Sequence, residues 1–216
     1  MMTETLEEAP VVVTAADALL VNLGTLSTDG MMGIPATVAA RPEGIPWVLD
    51  PTAIGLAPVR TRMAREFLDA APDVVKGNAS EILALVGGPG GRGADAADAP
   101  EHAVDAAIEV ACRTGGVVVV SGPTDVVVTA KGVAARIVRG YPMMVRVTGT
   151  GCLLGALTAG CLVAADDSVE AAVAAVTWFD VAGEVAAARA GGPGSFRVQL
   201  LDALDEVSRT GIEETR

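Results

Sequence analysis

The stretch Val147-Thr148-Gly149-Thr150-Gly151-Cys152, followed at once by the apolar run Leu153 to Ala165 (LLGALTAGCLVAA), decides how the rest of the chain is read. Gly149 and Gly151 let the backbone approach a ligand closely. The apolar run is a buried helix, and the free amides at its start, at the positive end of the helix dipole, favour an anion. From these residues alone two readings stand side by side. One is an anion hole for phosphoryl transfer. The other is a glycine-rich turn that leads a buried cysteine into the core, where free cysteines are commonly found.

Upstream, short runs rich in Val, Ile and Leu recur between longer Ala-rich stretches: Leu19 to Leu23, Trp47 to Leu49, Asp73 to Val75, and Val117 to Val120. Continuous apolar runs spaced widely enough for crossover helices predict parallel strands buried on both faces. Asp125 to Thr129 and Ala135 to Val138, with Ala130, Lys131 and Gly132 in the turn between them, read as an antiparallel hairpin. Downstream the chain turns helical over Leu153 to Ala165, Val169 to Ala190 and Val198 to Val207. Asp166 and Asp167 make one break, and the Gly191-Gly192-Pro193-Gly194 cluster another. The fold class is α/β, a three-layer α/β/α sandwich on a mainly parallel sheet, with its site at the C-terminal ends of the strands.

A chain of 216 residues, half of them apolar, closes one substantial core, so residues 1–216 read as a single domain. The formal charge of −12 disfavours a nucleic-acid partner, because phosphate backbones are bound by clustered Lys and Arg. Cys112, Cys152 and Cys161 are odd in number and lack metal-ligand spacing, which suggests a cytoplasmic protein with neither a disulfide framework nor a zinc site. No basic-then-apolar leader opens the sequence. The Cys152 to Ala165 stretch falls short of the roughly 20 residues that span a bilayer, so no membrane association is expected.

Several polar residues have structural readings of their own. Asn78 and Glu81 have the spacing of a capping box at a helix start. Asp50 before Pro51 suits a turn, and Ser121 before Gly122 and Pro123 suits a strand end. Gly87 to Gly93 (GGPGGRG) lacks the Gly-Lys-Ser/Thr ending of a P-loop and reads as a connection. His102, the single histidine, lies in a polar region and reads as a surface helix residue; Trp47 and Trp178 lie on core-type segments.

The segment TGTGC at 148–152 resembles the hydroxyethylthiazole kinase form of the anion-hole motif of ribokinase-like proteins, most of which place Asp where Cys152 stands. ADALLVNLGTL (16–26), IPWVLDP (45–51), GNASEI (77–82) and GPGSF (192–196) match that family in order over nearly the whole chain. The resemblance implies a ribokinase-like fold and ATP-dependent phosphorylation of 4-methyl-5-(2-hydroxyethyl)thiazole in thiamine salvage. It further implies Mg²⁺ as cofactor and a homotrimer with sites between subunits. It assigns Cys152 to catalysis, as weak general base or positioning group, and Gly149, Thr150 and Gly151 to the anion hole. Met2 and Gly149 fall at the alcohol, Lys76 (usually Arg) and Ser121 (usually Thr) at ATP, and Asp50 and Glu81 at the metal. Lys76 keeps the charge of an Arg but not its two-pronged donor geometry. Thr52-Ala53 replaces the more usual Val-Gly after Asp-Pro, a departure that bears on the loop's shape.

The family pattern normally runs through a helix, a strand and a helix before the Met that packs on the thiazole, here Met2. The chain therefore reads as beginning inside the fold, short by about 40 residues, or one βα unit with its leading helix. Either the recorded start is misplaced or the protein is naturally shortened. Rival readings are a non-catalytic thiazole- or ATP-binding or assembly subunit, and another ribokinase-like small-molecule kinase, such as a hydroxymethylpyrimidine kinase. The TGTGC and GPGSF segments argue against the latter.

Overall fold

The strands predicted from apolar runs form one six-stranded sheet in sequential order, in a computed structural model that describes residues 1–88 and 100–212. Strands β1 (Leu19–Asn22), β2 (Trp47–Asp50), β3 (Val74–Asn78) and β4 (Val117–Ser121) run parallel. Strands β5 (Asp125–Thr129) and β6 (Gly132–Ile137) close the sheet as an antiparallel hairpin. Alternate residues of the central strands enter two separate cores. Leu49, Val75, Val118, Val120, Val126 and Val128 meet one helical layer; Val48, Val74, Val119 and Val127 meet the other. Burial on both faces is why these strands are written as unbroken apolar runs.

The first layer comprises α2 (Gly30–Ala40), α3 (Pro58–Phe67), α4 (Ala79–Leu85) and α5 (Val104–Thr114), which connect successive strands after the short α1 (Ala9–Val12). The second comprises α6 (Thr150–Ala164), α7 (Ser168–Arg189) and α8 (Pro193–Thr210). This is the expected α/β/α sandwich. Its α7 is long and apolar enough to cross a membrane by length and composition, but here it is the middle helix of its layer, with Ala171, Ala172, Ala175, Val176 and Phe179 buried. Asp167 caps it, accepting from the Val169 and Glu170 amides at 2.8 Å each.

Some boundaries differ from the sequence reading. The hairpin turn is tighter, with β6 starting at Gly132, and α8 starts at Pro193 because proline suits the first helical position. Strand β3 continues through Lys76 and Gly77 to Asn78, since the ladder to β4 persists there (Lys76 opposite Val119, Asn78 opposite Ser121). Of Gly87 to Gly93, only Gly87 and Gly88 lie within the described residues, where they follow α4. His102 is exposed in a short 3-10 turn.

The register has one consequence for function. The four parallel strands all end on polar residues, Asn22, Asp50, Asn78 and Ser121, with Asn22 opposite Asp50. Because β5 runs the other way, its first residue, Asp125, joins the same edge.

Candidate active site

Asp50, at the end of β2, is fully buried, and both carboxylate oxygens are engaged. Oδ1 accepts from Thr52 Oγ1 at 2.7 Å; Oδ2 accepts from Asn22 Nδ2 at 2.8 Å and pairs with Lys76 Nζ at 3.4 Å. Lys76, in the middle strand, is itself only 4% exposed. Burial favours its neutral amine, but Asp50, Glu81 and Cys152 outweigh that effect and hold the ammonium above the usual lysine value. The site thus has a resident buried cation.

Immediately beyond, Asn78 and Glu81 form the capping box that their spacing predicts. Asn78 Oδ1 accepts from the Glu81 amide and Glu81 Oε2 from the Asn78 amide, each at 2.9 Å. The other oxygen of Glu81, Oε1, accepts from the Ala53 amide at 2.8 Å, a link that the capping signature does not foretell. Burial pushes the Glu81 carboxyl above the usual carboxylate range, against the pull of the Ala53 and Asn78 amides and of Lys76. Ala53 makes its contact from a left-handed conformation, φ +62°, where a glycine would be unstrained. The Thr52-Ala53 departure from the family pattern therefore retains a glycine-like turn with a strained alanine.

Helix α6 lies across β1, β2 and β3 with its N-terminus over this network. Gly149 precedes it at φ +99° and no side chain caps it. Among the described residues the amides of Gly151 and Cys152 have no acceptor. Two glycines allow the close approach: a methyl group at Gly151 would lie 3.2 Å from Lys76 Nζ, and one at Gly155 would lie 3.2 Å from Asp50 Oδ2. Cys152, half-buried in the first turn of α6, is one of the neighbours that favour the Lys76 ammonium. Uncapped helix amides, the helix dipole and a buried ammonium converge on one exposed mouth. Such an arrangement favours an anion.

Asp50, Lys76, Glu81, Gly149, Thr150, Gly151 and Cys152 are therefore brought together, and Ser121 stands beside Asn78 in the adjoining strand. Met2 is not; it stands almost fully exposed ahead of α1. Asn22, and Thr52 as a partner of Asp50, escaped sequence reasoning, although Asn22 ends the run Leu-Leu-Val as Asp50 ends Trp-Val-Leu. Asp125 and Asp180 were also missed, two buried carboxyls that meet where α7 crosses the start of β5. A lone Asp within an apolar helical stretch was the available signal.

Divalent metal can be tested against this donor set. Asp50 and Glu81 offer the hard oxygens that Mg²⁺ prefers, but all four already accept hydrogen bonds. Among the described residues no group of three acidic, His or Cys side chains forms a cage. The pair fits an ion held chiefly by phosphate oxygens and water, with the carboxylates reached through water.

The hydroxyethylthiazole kinase family model matches residues 1–210. The hydroxyethylthiazole kinase of Kineococcus radiotolerans is 46% identical over 214 residues, which span 98% of this chain and 77% of the relative. That of Escherichia coli strain 55989 is 42% identical over 211 residues, 97% of this chain and 80% of the relative. The solved hydroxyethylthiazole kinase of Pyrococcus horikoshii OT3 superposes with a TM-score of 0.82 at 33% identity, covering 94% of this chain and 77% of that one. A pyridoxal kinase from Staphylococcus aureus, at 18% identity and a TM-score of 0.64 over 83% of this chain and 67% of its own, shares the fold alone. With the match running through both helical layers and every strand of the sheet, this chain belongs to the hydroxyethylthiazole kinase family and has the ribokinase-like fold.

Proposed function

We propose that this chain transfers the γ-phosphoryl group of ATP to the hydroxyl of 4-methyl-5-(2-hydroxyethyl)thiazole, giving ADP and the thiazole phosphate, as a step of thiamine salvage. The observation that carries the reading is the uncapped start of α6 held over the Lys76 ammonium. Phosphoryl transfer needs little covalent chemistry from the protein. It depends on positioning and on stabilising charge on the transferred group.

The turn Gly149-Thr150-Gly151 forms the anion hole, with the open amides of Gly151 and Cys152 as its donors while the Thr150 amide is held by the Val147 carbonyl, and Lys76 supplies positive charge from below. Ser121 meets ATP from the end of β4. Cys152 faces the alcohol and acts as weak general base or positioning group. Bound Mg²⁺ would neutralise phosphate charge, with Asp50 and Glu81 orienting its water shell. Gly149 and Met2 shape the alcohol pocket. Because Met2 stands apart from the cluster within one chain, it serves the site of a neighbour in a homotrimer. Small-molecule substrates are the partners, with neither nucleic acid nor membrane involved, and the three free cysteines support a cytoplasmic setting.

The test is incubation with ATP, Mg²⁺ and the thiazole alcohol while ADP and phosphorylated alcohol are measured. Stoichiometric formation of both is expected. Binding of both substrates without turnover would overturn the reading in favour of a non-catalytic subunit.

A further inference from the structure

Among the described residues Asn22 is the one neutral partner of the buried Asp50 Oδ2, and its contact is the shorter one: 2.8 Å from the amide, against 3.4 Å from Lys76 Nζ. The same amide nitrogen lies 3.3 Å from Thr52 Oγ1, whose hydroxyl donates to Asp50 Oδ1. The carboxylate is thus clamped from both oxygens by uncharged donors. On its other side Asn22 Oδ1 accepts from the Gly24 amide at 2.9 Å, so the side chain cannot turn over without losing both bonds. We infer that Asn22 is a positioning residue that satisfies Asp50 without charge and thereby leaves the Lys76 ammonium free to face the helix start.

The reasoning is a competition for one cation. A fully buried carboxylate with an empty acceptor site draws the nearest donor. Without the Asn22 amide, that donor is Lys76, whose ammonium also sits under Gly151. A tightened Lys76–Asp50 pair withdraws positive charge from the anion site. The register that sets Asn22 opposite Asp50 fixes the geometry through the backbone of β1 and β2. The inference rests on the proposed roles of Asp50 and Lys76 toward ATP.

Two substitutions separate positioning from a purely local role at the Gly24 turn. Asn22→Asp keeps an acceptor for the Gly24 amide but loses the donor to Asp50; Asn22→Ala loses both. With the folded fraction verified by melting, both variants should raise the KM for ATP and lower kcat, by up to about 100-fold for a misplaced group. The KM for the alcohol should hold. Asp at least as impaired as Ala supports the inference. An Asp variant with native kinetics beside an impaired Ala variant overturns it, leaving only the turn role. Should the Asp variant not fold, native kinetics in the Ala variant overturns it equally. Asp50→Asn is measured in parallel: retained turnover there defeats the underlying reading of Asp50, whereas loss there with native Asn22 variants defeats the Asn22 inference alone.

Discussion

Cys152 takes its place in the first turn of α6, half-buried and within electrostatic reach of Lys76. A thiol there suits weak base catalysis, and general bases contribute about 10²-fold to 10⁴-fold. Cys152→Ala should therefore lose on the order of 10²-fold in kcat while binding ATP normally. Cys152→Asp should retain much of its turnover, since a carboxylate there also meets the Lys76 ammonium. Steady-state kinetics beside ATP titration checks both; an Ala variant with native turnover would reduce Cys152 to packing. Glu81 tests differently, because both of its oxygens accept backbone amides. In Glu81→Gln one of those amides faces an NH₂ group instead, which costs about 1–3 kcal/mol of stability. Turnover per folded molecule should fall further than that cost explains, as the charge near the phosphates is lost. A lower Tm with native kcat in the folded fraction would leave Glu81 as a cap only.

At the scale of elements, the loop after β2 and the crossing of β5 with α7 both carry stress. Ala53 holds a left-handed backbone to donate to Glu81. Glycine removes that strain, about 1–2 kcal/mol, and returns part of it through greater freedom of the unfolded chain. Ala53→Gly should thus stabilise by up to about 1 kcal/mol, seen as a Tm rise of a few degrees. The β5–α7 crossing brings Asp125 and Asp180 together, with Gly122 donating to Asp125 and no donor among the described residues for Asp180 Oδ2. Burial raises the Asp125 carboxyl from 3.8 to about 6. Burial and the neighbouring Asp125 raise that of Asp180 from 3.8 to about 8. Both hold protons more tightly folded than unfolded. Their contribution is therefore fully present below pH 3.8 and is lost as pH rises through about 6 and then about 8. Asp180→Asn supplies a permanent donor to Asp125 and removes one charge. It should raise Tm at pH 8.5 and have progressively less effect toward pH 5; a uniform shift across that range would argue against a shared proton.

For the whole molecule, the decisive question is whether a site is completed by a neighbouring chain. Met2 is exposed, as are Val138, Tyr141 and Val145 in the segment leading to α6, apolar surface of the kind that subunit contacts cover. Sedimentation should show a three-chain species. A stronger test mixes two impaired variants, Met2→Glu and Cys152→Ala, after dissociation and reassembly. With sites between subunits, a fraction of mixed sites carries both native residues, and activity rises above that of either variant alone. Activity equal to the average of the two would place each complete site within one chain.

The sequence by itself determined the α/β class, because strands buried on both faces must be written as continuous apolar runs. It also supplied the glycine-rich start of α6, since close approach leaves few residues to choose from, and the capping box, whose partners are three residues apart. Each of these signals is local. What joins Asn22 to Asp50, Ala53 to Glu81, Lys76 to Gly151 and Asp125 to Asp180 is the order and register of strands and the path of helices over them. Those pairs are separated by 28, 28, 75 and 55 residues in the sequence. No spacing rule reaches so far: hydrogen bonds and shared charge between such residues exist only once the sheet aligns its strand ends and α6 and α7 cross them. The chain declared which residues were chemically capable, and the tertiary structure decided which of them lie within reach of one another.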